Sequence, residues 1–218
     1  MVDITAQGIL FDMDGTLVNT IECVERGWTD LANEHSIDAQ ALIRTVHGHP
    51  TKDVLRAWFP PHMHTLEYAQ SFEHKLMHDT RGVFAVPGAL RVLSTLRDSE
   101  WAIVTAATED LARTRMQQIG IAVPAKLVAD TSVQKGKPHP EGYEVGARLL
   151  GISPKDAVVF EDSVNGVLAG CAAGCTVVGV LTSTSEDKLR EAGAKYVIKD
   201  FTQVQISRAD GLVITLDV

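Results

Sequence analysis

The amino-acid sequence predicts an α/β fold: a parallel-sheet core domain, an α-helical segment inserted after its first strand, and a β-hairpin at the C-terminus. Three observations carry this expectation. Residues 7–16 read Gln-Gly-Ile-Leu-Phe-Asp-Met-Asp-Gly-Thr, a short apolar run that stops at two carboxylates and a glycine, as a buried parallel strand does where it opens into a polar crevice. From about residue 19 to about residue 81 the apolar residues recur at helical spacing. From Val86 onward, short apolar runs alternate with turns and helical stretches, which is the texture of a parallel sheet covered by helices on both faces.

The elements follow in order. Ile9-Leu10-Phe11 forms the first strand. In the helical block, Val24, Trp28, Leu31 and Ala32 mark one apolar face and Ala41, Leu42 and Val46 another; Pro50 and the Pro60-Pro61 pair divide the block into pieces. Trp28 and Trp58 fit these apolar faces as packing residues. Four further strands are expected at 101–105, 126–129, 157–160 and 176–180, giving a Rossmann-like sheet. Near the C-terminus, Val204-Gln-Ile-Ser and Leu212-Val-Ile-Thr flank Arg208-Ala-Asp-Gly211, two alternating runs around an Asp-Gly turn, and predict the hairpin. The domains are therefore a core of residues 1–18 and 86–218 and a helical cap of residues 19–85, with hinges at 19–20 and 85–88.

A chain of 218 residues suffices for one such domain and an inserted subdomain. A hydrophobic content of 45% with 22% charged residues is that of a globular protein, and the net charge of −8 argues against nucleic acid or an anionic membrane as partner. No apolar run approaches spanning length and no charged-then-apolar leader opens the chain. The three cysteines, Cys23, Cys171 and Cys175, have no metal-ligand spacing. Together these features predict a protein of the reducing cytoplasm, and the lack of any sign of a large exposed apolar patch predicts a monomer.

In a parallel α/β sheet the functional groups collect where strands end on the carboxyl side. Reading strand ends alone selects Asp12 and Asp14, Thr105, and Glu161 with Asp162; Lys137, in the rigid turn Lys135-Gly-Lys-Pro-His-Pro-Glu141, joins them. Two acids as close as Asp12 and Asp14 call for a cation between them, or for a reaction that needs both a nucleophile and a proton donor. A calcium loop is excluded, because glycine comes fourth and the twelfth position is Cys23. Several acids, one lysine and one hydroxyl at one sheet edge make a site for Mg²⁺ plus phosphate.

These residues match an ordered set of four motifs. Asp12-Met-Asp-Gly-Thr16, Thr105 at a strand end, Lys137 before Pro138, and Glu161-Asp162-Ser163 resemble, over nearly the whole chain, the haloacid dehalogenase superfamily of phosphotransferases. The resemblance implies that Asp12 is the nucleophile that forms an aspartyl-phosphate, and that Asp14 is the general acid and then the base for water. It implies that Gly15, Thr105, Ala106 and Lys137 serve the phosphoryl group. It also implies a Mg²⁺ held by Asp12, the Asp14 backbone carbonyl and Asp162, with Glu161 as a ligand or just behind them. The helical insertion corresponds to that family's small cap.

Within the superfamily, the turn at 135–141, the cap segment with His47-Gly48, Thr51 and Asp53, and Ala169-Gly170 are most similar to the glycerol-3-phosphatase, 2-deoxyglucose-6-phosphatase and bacterial sugar-phosphatase group. Pro50 departs from the arginine expected there in the glycerol-phosphatase type. The implied reaction is Mg²⁺-dependent hydrolysis of a small phosphorylated sugar or polyol. Its rival is a mutase of the β-phosphoglucomutase type, which resembles this chain but carries histidine at the place of Val24 and usually Val at the place of Thr16; a phospho-sugar sensor without turnover is the remaining alternative. Seven of the eight histidines lie between His35 and His78. His62 and His64 read as solvated. His47, Gly48, His49 and Lys52, in a glycine-containing loop ahead of a helix, are candidate substrate contacts reaching over the phosphate site.

Overall fold

The computed structural model describes residues 1–121, 123–209 and 211–218. Its chain opens on β1 (Val2–Ala6), then β2 (Gly8–Phe11) and the two-residue β3 (Val18–Asn19). Four helices follow: α1 (Ile21–Glu34), α2 (Ala39–Val46), α3 (Thr51–Trp58) and α4 (Leu66–His78). After β4 (Phe84–Ala85) come α5 (Ala89–Thr95), β5 (Trp101–Val104), α6 (Glu109–Gln118), β6 (Leu127–Val128), α7 (Glu141–Leu150), β7 (Ala157–Glu161), α8 (Val164–Ala172), β8 (Thr176–Val180), α9 (Glu186–Glu191) and β9 (Tyr196–Ile198). The antiparallel pair β10 (Val204–Ala209) and β11 (Gly211–Leu216) ends the fold. The hairpin is present as expected; the Asp210 of its expected Asp-Gly turn lies outside the described residues.

The central sheet is parallel, in the order β6-β5-β2-β7-β8-β9. It has one strand more than the sequence predicts, because β9, only three residues long, offers too short an apolar run to stand out. A second addition is β1, which pairs antiparallel with β11 and turns the hairpin into a three-stranded sheet. Its alternation of Val2, Ile4 and Ala6 with Asp3 and Thr5 is a strand signal, but a short one at the chain's start.

Successive residues of a strand point to opposite faces, and the sheet builds two hydrophobic layers on that rule. Ile9 and Phe11 join one layer with Trp101, Ile103 and Phe160, packed against α5, α6 and the antiparallel sheet. Leu10 joins the other with Ala102, Val104 and Val159, under α7 and α8. Phe11 and Phe160 stack with ring centroids 5.4 Å apart, and Phe201 leans on Phe160 at 5.1 Å, tying the C-terminal sheet to the core.

The helices α1–α4 close over a third cluster of their own, built from residues such as Trp28, Leu31, Leu42, Leu55, Phe59, Phe72 and Leu76. Trp28 sits 4.3 Å from Phe72 and 5.9 Å from Phe59 by ring centroid, so it is packing. Asp38 caps α2 by accepting from the amides of Gln40 and Ala41, and Thr65 caps α4 through Tyr68 N. The chain enters and leaves this helical layer through β3 and β4, which pair with each other: Val18 opposite Ala85, Asn19 opposite Phe84. Two single connections thus become one hydrogen-bonded ribbon. No helix among the described residues is long and apolar enough to cross a membrane.

Candidate active site

In the central sheet β2 lies between β5, on the side that continues to β6, and β7, on the side that continues to β8 and β9. The chain reverses direction of travel there, which opens a crevice beyond the carboxyl ends of the strands. Asp12 follows β2 directly, and its amide extends the ladder by donating to Phe160 O at 3.0 Å. Thr105 follows β5, Glu161 ends β7 and Asp162 comes next. Lys137 arrives from the turn ahead of α7.

Buried charge at this point is tightly paired. Lys137 Nζ lies 2.5 Å from Asp12 Oδ1 and 2.5 Å from Glu161 Oε1. Burial alone would lower the lysine, but Asp12 and Glu161 outweigh it and hold its ammonium above the ordinary lysine value. Burial raises Asp12 well above the usual carboxylate range, with Glu161 and Asp162 adding to it against the pull of Lys137. Burial, then Glu161, pushes Asp162 up to about 7.

Glu161 is completely buried. Its Oε1 accepts from Lys137 and, at 2.8 Å, from the Tyr143 hydroxyl; its Oε2 accepts from the amides of Asp162 and Ser163 and from Ser163 Oγ, at 3.0–3.1 Å. This carboxylate is seated at the N-terminus of α8, where backbone N–H groups favour an anion. A Cβ on Gly166 would come within 1.6 Å of Glu161 Oε1, so only glycine leaves room for it. Gly15 does the same for Asp162: it sits at φ +81°, and a Cβ there would lie 2.0 Å from Asp162 Oδ2. Thr16 Oγ1 donates to Asp162 Oδ1 at 3.3 Å.

Asp12, Glu161 and Asp162 each offer a carboxylate oxygen within 4.8 Å of the others, a buried cluster able to hold a divalent cation. Hard oxygens and excess negative charge suit Mg²⁺. The Asp14 carboxylate is not in that cluster: its Oδ1 accepts from Thr20 Oγ1 at 2.7 Å. Burial raises Asp14 above the ordinary carboxylate value, opposed by the Thr20 bond and by Arg115, Lys137 and His47. Thr105 Oγ1 accepts from Ala107 N at 3.1 Å.

Above these groups lies a cavity of about 740 Å³, its open mouth included, between the sheet edge and the helical layer. Asp12, Asp14, Gly15, Thr105, Ala106 and Asp162 line it from the core, and His47, Gly48 and His49 from the cap. Gly48, at φ +75°, lets the cap loop close on Ser163, whose Oγ would be 2.4 Å from a Cβ. His47 Nε2 is 3.1 Å from Glu25 Oε1, and His49 Nδ1 is 2.9 Å from Asn165 Nδ2 on α8. Lys52 departs from the expectation. It does not line the cavity; its Nζ lies 2.8 Å from Asp130 Oδ1, an ion-pair distance without hydrogen-bond geometry, so its charge is spent on joining α3 to the core. His64 Nε2 meets Phe59 O at 2.7 Å, and His62 is exposed.

Three residues escaped sequence reasoning. Tyr143 is the buried hydroxyl on Glu161, and its partner is invisible without the fold. Arg115, 1% exposed, lines the cavity from α6 and donates to Leu76 O, Asp79 O, Gln118 Oε1 and Cys23 Sγ at 2.8–3.0 Å. Glu73, on α4, lines the cavity from the cap. Here a signal existed: Ala69, Phe72, Glu73 and Leu76 form an i, i+3, i+4, i+7 stripe in which a carboxylate takes an apolar place.

A family model described as haloacid dehalogenase-like hydrolase matches residues 9–180. The chain is 36% identical to hexitol phosphatase A of Escherichia coli (strain K12) over 207 residues, covering 93% of this chain and 94% of that protein. It is 34% identical to 2-deoxyglucose-6-phosphate phosphatase 1 of Saccharomyces cerevisiae, covering 100% of this chain and 98% of that one. Among solved structures, a haloacid dehalogenase family hydrolase from Deinococcus radiodurans with bound phosphate and sodium superposes with a TM-score of 0.68 at 28% identity, over 91% of this chain and 93% of that one. The ordered strand-end motifs, the cavity they share and these full-length likenesses lead to one conclusion: the chain belongs to the haloacid dehalogenase-like hydrolases.

Proposed function

We propose that the protein is a Mg²⁺-dependent phosphatase that hydrolyses a small phosphorylated sugar or polyol through a phosphoryl group carried on Asp12. The observation that carries this reading is the convergence of Asp12, Asp14, Thr105 and Asp162 on one capped cavity, with Lys137 locked to Asp12 behind it. Relatives named as hexitol, 2-deoxyglucose-6-phosphate and glycerol-1-phosphate phosphatases, each similar along most of this chain, support the substrate class.

In this reading Asp12 attacks phosphorus while Asp14 gives its proton to the departing alkoxide, then takes one from water as the acyl phosphate is hydrolysed. A raised pKa suits Asp14 to carrying that proton. Thr105, the Ala106 backbone and Lys137 hold the phosphoryl oxygens, and Lys137 also fixes the orientation of the nucleophile. Asp12, Asp162 and the Asp14 carbonyl would hold the Mg²⁺, with Glu161 behind them as the anchor of Lys137. The ion would offset the repulsion between an anionic nucleophile and an anionic phosphate. Residues 19–85 act as the cap that excludes water, and residues 1–18 and 86–218 as the catalytic core. The free thiols of Cys23, Cys171 and Cys175 support a cytoplasmic setting.

The test is phosphate release from a panel of hexitol, sugar and glycerol phosphates before and after chelation. Release should fall at least ~10²-fold with EDTA and return with added Mg²⁺. Release indifferent to EDTA would refute the metal assignment. Isomerisation of glucose 1-phosphate without release would replace the phosphatase by a mutase.

A further inference from the structure

We propose that Glu73 is the residue that reads the hydroxyl groups of the substrate: its carboxylate, set in the cap wall of the catalytic cavity, keeps one acceptor position for a substrate O–H. The proposal rests on the reading that the substrate is a phosphorylated sugar or polyol.

Glu73 is 2% exposed and occupies the apolar stripe of α4. Burying a carboxylate there is costly unless its oxygens are hydrogen-bonded. Its recorded partners are neutral donors. Thr51 Oγ1 donates to Oε1 at 2.7 Å, while Thr108 N donates to Oε2 at 3.2 Å and Thr108 Oγ1 bonds the same oxygen. Among the described residues none of the ion pairs includes Glu73. A carboxylate offers about four acceptor sites. Oε2 carries two bonds and Oε1 one, so the unfilled site is on Oε1.

The same side chain lines the cavity that holds Asp12 and Asp14. Burial raises its pKa, and the nearby Asp14 adds to the rise, so one more donor would be stabilising. A phosphate dianion is an acceptor and cannot supply that donor; it is repelled instead. With the phosphate held at the Asp12 end of the cavity, the rest of the ligand extends along the wall that carries Glu73. A polyol chain supplies O–H donors in the neutral form this wall requires, and a charge-assisted bond of that kind discriminates strongly against a ligand that lacks it.

Glu73 also joins the cap to Thr108, the N-cap of α6, so a purely structural role must be separated from recognition. The experiment compares kcat/KM of wild type and Glu73→Gln for a hexitol phosphate and for p-nitrophenyl phosphate, which has no hydroxyl group. The ratio of the two specificity constants should fall ~10–100-fold in the variant. Equal losses on both substrates, leaving the ratio fixed, would make Glu73 a latch and overturn the proposal. A second measurement needs no variant: wild-type enzyme is given the hexitol phosphate with each hydroxyl in turn methylated, which removes a donor and keeps an acceptor. One position should lose at least ~10-fold; indifference at every position would overturn the proposal. Wild-type release from p-nitrophenyl phosphate but from no sugar or polyol phosphate would instead overturn the substrate class, and the proposal with it.

Discussion

The two ends of the cavity are built differently. At the catalytic end, Asp12, Thr105, Glu161 and Asp162 stand at or just past the ends of three adjacent strands, and hydrogen bonds to backbone and to Lys137 fix the central carboxylates. At the cap end, Glu73 comes from α4, Thr51 from α3 and His47 from the end of α2, and they face Arg115 of α6 only because the cap packs on the core. The first arrangement is rigid because the sheet sets its spacing. The second is adjustable, because helices of a separately packed layer set it.

Asp12→Asn should separate the two ends most sharply. The variant keeps the shape and a hydrogen-bonding oxygen but loses the nucleophile, so phosphate release should drop at least ~10³-fold. Circular dichroism and thermal unfolding should still report a native fold. Substantial remaining turnover would remove Asp12 from the nucleophile's role.

Arg115→Met attacks the wall. Four acceptors on cap and core lose their donor together, two of them the backbone carbonyls of Leu76 and Asp79 near the C-terminus of α4. Losing this buried charged donor should cost about 2–4 kcal/mol, read by urea denaturation. Amide exchange should rise first in α4, and KM should suffer more than kcat. Uniform loss across the core would show that the cap end is no more independent than the catalytic end.

The smallest effect is expected at Asp79, where the chain leaves α4 on the cap surface. Hydrogen bonding to Arg81, then to Arg26, holds its carboxyl well below the usual carboxylate range. A lowered folded-state pKa contributes stability that is present above the unfolded value and disappears as pH falls toward the folded one. Asp79→Asn should therefore lower Tm slightly at pH 7, and its difference from wild type should shrink in acid. A difference that holds steady or grows toward acid pH would contradict the assignment.

Much of the catalytic end was legible in the sequence because each part has a local signature. Ile9-Leu10-Phe11 stopping at Asp12, and the apolar run 157–160 stopping at Glu161, are strand ends visible in a few residues. The structure then assigned Glu161 its buried place under α8, which composition and spacing could not, because Tyr143 and Gly166 are needed to define it. Lys52 shows the converse limit. Its position in the cap loop suggested a ligand contact, yet a core carboxylate at Asp130, far along the chain, claims it. The strands β1 and β9 were missed because a short strand is defined by its partners, Leu212 to Leu216 for one and Val178 to Val180 for the other.

By itself the sequence determined the α/β class, the insertion after the first strand and the acids at the strand ends, because apolar periodicity and abrupt polar stops are properties of neighbouring residues. Only the tertiary structure decided how those acids are paired and what faces them. Glu73 lies 35 residues from Thr108 and Arg115 lies 39 from Leu76, and these hydrogen bonds exist only after the cap has closed on the core. Burial then sets their chemistry, by removing the water that would otherwise satisfy them.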